Sequence, residues 1–442
     1  MNIQIIRTAK ETGERWQTLA KDSIQKPFDT TVPMIVVNPA KKYQTHIGFG
    51  GAFTESAAYT FHNLPKEKRD FITKAYFSES GLSYNMGRTH IHSCDFSLEN
   101  YTYVREGDKA LVTFDISREE QWVIPMIKEA KQYQKDLLLL ASPWSPPAWM
   151  KSNNNMNFGG KLLDEFKPSW ANYYVKYVQE MRKRDIDFWA ISVQNEPAAT
   201  QTWDSCIYTA EEERDFVRDY LGPTVHAYDK DLKILGWDHN RDIIVERAST
   251  MLHDPKASEH IWGIANHWYV SEAFENMSVV HELFPDKHLV FTEGCIEGGP
   301  KPLAWHTGER YGRNIFGDLN NWVEGWIEWN LILNEQGGPN HVGNFCDAPI
   351  LADRKTHELT VNSSYYYIGH FSKFIQRGAR RIHVTHNLPQ GIFTTAYQNP
   401  DGKIIVVIQN QNDAATRLSL SLEGNGIGLD MIGHSIVSLI LS

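Results

Sequence analysis

Between residues 46 and 330 the chain alternates short apolar runs with longer amphipathic stretches, and it does so eight times. The runs are HIGFGGAF (46–53), LSYNMGRTH (82–90), DLLLLASPW (136–144) and DFWAISVQNE (187–196), then KILGWDHN (233–240), IWGIANHWY (261–269), KHLVFTEG (287–294) and VEGWIEWN (323–330). Each is almost continuously apolar until its C-terminal end, where polar and aromatic residues crowd in. Strands covered on both faces read this way, and strands of that kind are parallel with helical crossovers. Helical spacing fills the gaps. NLPKEKRDFITKAYF places Pro65 in a first turn, and EEQWVIPMIKEAKQYQ and SWANYYVKYVQEMRKRD follow the same period. TAEEERDFVRDYLGPTV starts from Thr209 as N-cap, carries acidic residues in its first turn, and is expected to stop at Gly222-Pro223. Eight strand-then-helix units predict a (β/α)8 barrel, whose chemistry sits at the C-terminal ends of its strands. The competing architecture, an open doubly wound sheet, usually carries a glycine-rich phosphate loop after its first strand. GFGGAF lacks the G-x-G-x-x-G spacing of that loop.

The ends of the chain follow a different period. RRIHVTH, GIFTTAYQ, KIIVVIQN, TRLSLSLEG and HSIVSLILS are short strands separated by turns such as Asn399-Pro400-Asp401-Gly402. NIQIIRTA and MIVVNP near the N-terminus are strand-like too. The reading is three segments: residues 1–40 and 378–442 form one discontinuous β-sandwich beside a catalytic barrel of residues 41–377. The sandwich itself carries no chemical motif.

Several function classes fall away on composition. A net charge of −10 opposes nucleic-acid binding, which needs a basic face. No apolar run approaches the ~18 residues of a membrane helix. MNIQIIRTAKETGERW has no basic segment followed by an apolar one, so the expectation is a cytoplasmic protein without a secretory leader. Cys94, Cys206, Cys295 and Cys346 are widely spaced and form no CxxC pair, as expected of reduced thiols. The sequons at Asn276 and Asn362 carry no meaning without secretion. Fourteen tryptophans and nineteen tyrosines suit either a large aromatic core or a cleft that offers ring faces to a sugar.

Two runs close on a carboxylate: Glu196 ends the fourth and Glu293 the seventh. Burying a carboxylate is costly unless it is paired or hydrogen-bonded, so each needs a reason. A single one could bridge to an arginine at the barrel rim. Two of them, on strands expected to face each other across the mouth, suit glycoside hydrolysis: one acid protonates the leaving oxygen and the other attacks the anomeric carbon. The acid needs a raised pKa, which burial and its negative neighbour would supply. Asn195, beside Glu196, offers an amide to the sugar 2-hydroxyl, and Pro197 helps to end the strand.

SVQNEP and FTEG, together with GFGGAFTESAA, SCDFS, SPWSPPAWMK, NHWY and GWIEWNLILNEQGGPNHVGNF, resemble the glucosylceramidase-type family of glycoside hydrolases, family 30 of the large barrel clan. The likeness runs from about residue 46 to 376 and touches nearly every strand end in order. It implies a retaining β-glycosidase that needs no cofactor and no metal. Glu196 would be the acid/base and Glu293 the nucleophile. Asp95 and Trp144 would bind sugar hydroxyls, Asn195 the 2-hydroxyl, and Trp329 and Asn344 the other side of the ring. Tyr269 would hydrogen-bond near the nucleophile. Arg88, at the end of the second run, would hold Glu293 ionised or form a salt bridge inside the barrel. His267 would support the site, and Trp203 and Tyr208, on the loop after the fourth run, would be either aglycone contacts or packing. Cys94 and Cys295, next to site residues, read as small packing groups. The expected substrate is a small or oligosaccharide β-glucoside, with β-1,6-glucan, β-xylosides and β-fucosides as alternatives from the same family. The remaining rivals are a metal-dependent barrel hydrolase using His90, His92, His239 and His267, and a sugar-binding protein without catalysis.

Overall fold

The computed structural model describes residues 2–20 and 24–442. All eight runs become neighbouring parallel strands of one closed barrel: Gly48–Ala52, Met86–Ile91, Leu138–Pro143, Ala190–Ser192, Lys233–Asn240, Ile261–His267, His288–Glu293 and Gly325–Asn330, the eighth closing on the first. Period two along a strand decides what fills the ring. Met86, Leu140, Ala190, Leu235, Ala265, Val290 and Ile327 form a buried apolar plug. Two residues further along six of these strands come Arg88, Ser142, Ser192, His267, Thr292 and Trp329, so a polar layer sits directly on an apolar one.

The fourth strand is the shortest, and it ends earlier than the apolar run does. Its ladder stops at Ser192, after which the chain bonds alternately to both neighbours: Val193 N–H to the Leu235 carbonyl at 3.0 Å, Asn195 N–H to Pro143 at 2.8 Å, and Glu196 N–H to Asp238 at 3.0 Å. Glu196 takes a left-handed φ of 49°, as do Trp237 at 71° and Asp238 at 49° on the next strand. Non-glycine residues adopt that region only where surrounding structure enforces it, commonly at functional sites.

The helix from Thr209 does not stop at Gly222-Pro223. Thr209 caps it in a reciprocal capping box with Glu212, and Ala210–Phe216 then passes through a π-turn, Val217–Leu221, into a further helix, Gly222–Tyr228. The wider turn lets the helix carry a residue without an N–H, so Pro223 does not end it. Gly222 serves close packing instead: a Cβ there would lie 2.2 Å from His260.

Among the described residues, four N-terminal and six C-terminal strands make a single ten-stranded sheet. The strand Met34–Thr45 continues past residue 40 and pairs with Arg380–His386 as far as Thr45 against Arg380. Side chains from strands near both edges, such as Ile5 and Leu429, share one core, so the sheet folds over on itself into a sandwich. Ile405, Val407 and Ile436, on its outer face, belong to the barrel's core instead and dock the two units together. Helix Ser363–Ser372 lies between them. Its His370 bonds Ser438 at 2.8 Å and Thr8 at 2.9 Å, and Trp16 donates to the Tyr366 carbonyl at 2.8 Å. Among the described residues no helix is long and apolar enough to cross a membrane.

Candidate active site

The polar layer is organised by Arg88, which is fully buried. It stands third in its strand rather than at the end. Its guanidinium donates to Glu293 Oε2 at 2.9 Å, to Asp238 Oδ2 at 2.8 Å, to Asn195 Oδ1 at 2.9 Å and to Ser142 Oγ at 3.1 Å. One cation thus spans the ends of strands three, four, five and seven. Glu196 and Glu293 come from strands three places apart in the ring, one short of diametrically opposite. Both border a cavity of about 220 Å³, together with Asp95, Trp144, Asn195, Tyr269, Trp329 and Asn344. Every residue expected to bind the sugar lines this one space.

Glu293 is held on both oxygens, by Arg88 and by the Tyr269 hydroxyl at 2.7 Å. Glu196 has longer contacts: His267 Nδ1 at 3.3 Å, Gln201 Nε2 at 3.3 Å and His239 Nδ1 at 3.5 Å. His267 sits at a break in strand register between Asn266 and His267, which turns its ring so that Nε2 meets Asp238 Oδ1 at 3.0 Å. Asn195 gives its oxygen to Arg88, which leaves the amide N–H groups for a ligand. Trp144 and Trp329 stack at 5.3 Å with 25° between their planes, and the Arg88 guanidinium lies 4.9 Å from the Trp144 ring centre. Asn344 donates to Asp95 at 3.0 Å. Burial and the surrounding carboxylates push Asp95 up to about 7, despite that bond.

The charges divide in an unforeseen way. Burial opposes ionisation of Glu196, but the His267 hydrogen bond and the adjoining imidazoles outweigh it and bring the carboxyl down to about 2. His267 is buried as well, yet Glu293, Asp238 and Glu196 surround it and push it up to about 9. Glu293 is raised, because burial and the charge of Glu196 exceed the help from His267, Arg88 and Tyr269. The raised carboxyl expected at Glu196 therefore falls on Glu293 in the free site, and His267 is the group beside Glu196 that is pushed toward its protonated form.

Not every expected residue belongs here. Trp203 and Gln201 border the cavity, whereas Tyr208 is buried behind it against Phe216 and does not. Cys295 does line the cavity, with Sγ 3.6 Å from the Tyr269 hydroxyl, and so does Cys346; Cys94 is buried packing. His90 and His92 are not free to ligate a metal. His90 accepts the Glu55 N–H at 2.9 Å and bonds the His92 carbonyl, and His92 bonds Tyr173 and the Ser145 carbonyl. Asp238 is the residue that sequence reasoning missed. It receives Arg88, Ser192, Thr292 and His267, and its pKa is held below the ordinary carboxylate range, because Arg88 and these bonds overcome its burial. A partial signal was present in KILGWDHN, which carries a carboxylate two residues before its end.

Comparison with known proteins places these features in context. The profile of the Glycosyl hydrolase family 30 TIM-barrel domain matches residues 46–375, and that of the Glycosyl hydrolase family 30 beta sandwich domain matches residues 378–439. Lysosomal acid glucosylceramidase of Mus musculus is 35% identical over 428 residues, covering 92% of this chain and 83% of that protein. Among solved structures, SrfJ from Salmonella typhimurium superposes with a TM-score of 0.92 at 33% identity, covering 99% of each chain. The endo-beta1,6-glucanase BT3312 superposes at 0.90 with 29% identity, covering 100% of this chain and 99% of its own.

Proposed function

The chain belongs to glycosyl hydrolase family 30 and is a glycoside hydrolase, and on that premise we propose that it is a retaining β-glucosidase of the glucosylceramidase type, with Glu293 as nucleophile and Glu196 as acid/base. The observation that carries this reading is the convergence of both carboxylates on one cavity, tied together through Arg88, Asp238 and His267. In the first step a Glu293 oxygen attacks the anomeric carbon as the glycosidic C–O bond breaks, and the departing oxygen takes a proton from Glu196. In the second, water attacks the same carbon, Glu196 receives its proton, and Glu293 leaves. Two inversions leave the configuration unchanged.

The free-site charges fit this assignment once the proton is followed. Arg88 lowers the cost of an anionic Glu293, and neutralising Glu196 removes one of the two influences that raise its pKa. His267, pushed up to about 9, holds its Nδ1 3.3 Å from Glu196 Oε1, within reach to supply the proton that Glu196 must give. A bound sugar displaces water from around Glu196 and disfavours its charge, which moves that proton onto the carboxylate. His267 is thus a proton reservoir, and Asp238 fixes its orientation.

The cavity favours one sugar ring over a chain. About 220 Å³ is smaller than the ~300–1,000 Å³ of pockets for drug-sized ligands. Its mouth carries exposed Val270, with Phe345 between two cavity residues, an apolar lip that suits a lipid aglycone such as that of glucosylceramide. A β-1,6-glucanase is the second reading, supported by the full-length superposition on an enzyme of that description. A substrate panel decides between them. Glucose released from an aryl β-glucoside and from micellar glucosylceramide, with little from β-1,6-glucan, is the expected outcome. Oligosaccharides released from β-1,6-glucan, with the lipid untouched, would favour the second reading.

A further inference from the structure

We propose that Glu196, His239 and His267 form a binding site for a divalent transition metal of the zinc class, and that the metal inhibits the hydrolase by taking its acid/base carboxylate. Glu196 Oε1 lies 3.3 Å from His267 Nδ1 and 3.5 Å from His239 Nδ1, and the three donor atoms lie within 4.8 Å of one another. Zinc bonds of ~2.0–2.1 Å in a tetrahedron set neighbouring donors about 3.3 Å apart, so two of the three edges already match. Both imidazoles are prepared for the role in different ways. His239 is 8% exposed, and its buried Nδ1, without a hydrogen-bond partner among the described residues, lies 3.5 Å from Glu196 Oε1. His267 has its other nitrogen held by Asp238 at 3.0 Å, the carboxylate–histidine arrangement that orients a ligand toward zinc. Two nitrogens and one oxygen suit zinc, cobalt or copper rather than magnesium or calcium. The fourth position faces the cavity and would hold water or a sugar hydroxyl. On binding, the metal displaces the Nδ1 proton of His267 into solvent, and no oxidation state changes.

The binding claim stands on geometry alone, whereas the inhibition rests on the proposed role of Glu196. Cys295 and Cys346 line the same cavity and are the other soft donors there. The test therefore uses chelator-stripped protein titrated with cobalt(II) and with zinc(II). Expected are a visible cobalt spectrum without a thiolate charge-transfer band, and an affinity that falls by at least roughly 100-fold in His239→Gln and Glu196→Gln. Cys295→Ser and Cys346→Ser should bind as the unaltered protein does. With an alkyl β-glucoside as substrate, whose leaving group needs the proton, zinc should lower kcat/KM, and a chelator should restore it. No uptake at millimolar metal, a thiolate band, or full affinity in His239→Gln would overturn the site. Binding lost in His239→Gln with zinc-saturated enzyme fully active would keep the site and refute both the inhibition and the role given to Glu196.

Discussion

The two glutamates of the cavity stand in unlike company. Glu293 touches a guanidinium and a phenol, at 2.9 and 2.7 Å, and the guanidinium is charged at every pH the protein meets. Glu196 touches two imidazoles and an amide at 3.3–3.5 Å, and an imidazole, unlike a guanidinium, can gain and lose its charge. A nucleophile must stay anionic through the first step, so a permanent partner suits it. An acid/base must gain and lose a proton in each turnover, so a titratable partner suits it. The roles are therefore written in the kind of cation beside each carboxylate rather than in the pKa of the free site.

The contrast can be broken in graded ways. Glu293→Gln removes the attacking oxygen and is expected to cost the most, on the order of 10⁴–10⁶ in kcat for any β-glucoside, measured by glucose release. Glu196→Gln should separate substrates by leaving group. Alkyl β-glucosides should lose roughly 10²–10⁴ in kcat/KM, while activated aryl glucosides, whose leaving groups need no proton, keep most of theirs. Equal losses for both would place Glu196 outside the acid role. The smallest effect is expected from His267→Gln, read as a pH profile. His267 and Glu196 together hold one proton that is kept below about pH 9 and lost above it, so activity should fall on the alkaline side as that proton leaves. Without the imidazole the proton rests on Glu196 alone, and the alkaline limb of kcat/KM should move to lower pH by roughly one unit or more. An unmoved limb would remove His267 as the reservoir.

Much of this was legible in the chain, and the reasons are specific. Barrel strands are apolar on both faces, so eight runs stood out and all eight became strands. Carboxylates that close apolar runs were visible at Glu196 and Glu293, and the neighbouring motifs brought Asp95, Trp144, Tyr269 and Asn344 to the same cavity. Arg88 was singled out as a partner of Glu293 or as an interior salt bridge; it is both, because one guanidinium reaches Glu293 and Asp238 together. Asp238 itself escaped, since its part depends on left-handed backbone at Trp237 and Asp238, which no periodicity reveals. Tyr208 stayed open between aglycone contact and packing, because a loop aromatic reads alike whether it faces the cavity or the core; it packs. The helix through Gly222-Pro223 escaped because its continuation rests on a π-turn and on close packing against His260, a contact between residues far apart in the chain.

A 2-deoxy-2-fluoro-β-glucoside with a good leaving group tests the central assignment most directly. It slows both steps and lets a covalent glycosyl-enzyme accumulate for intact-mass measurement and peptide mapping. One added sugar per chain, carried on the peptide at Glu293, is expected. A label on Glu196 would reverse the two roles, and turnover with no covalent adduct at all would contradict the double displacement.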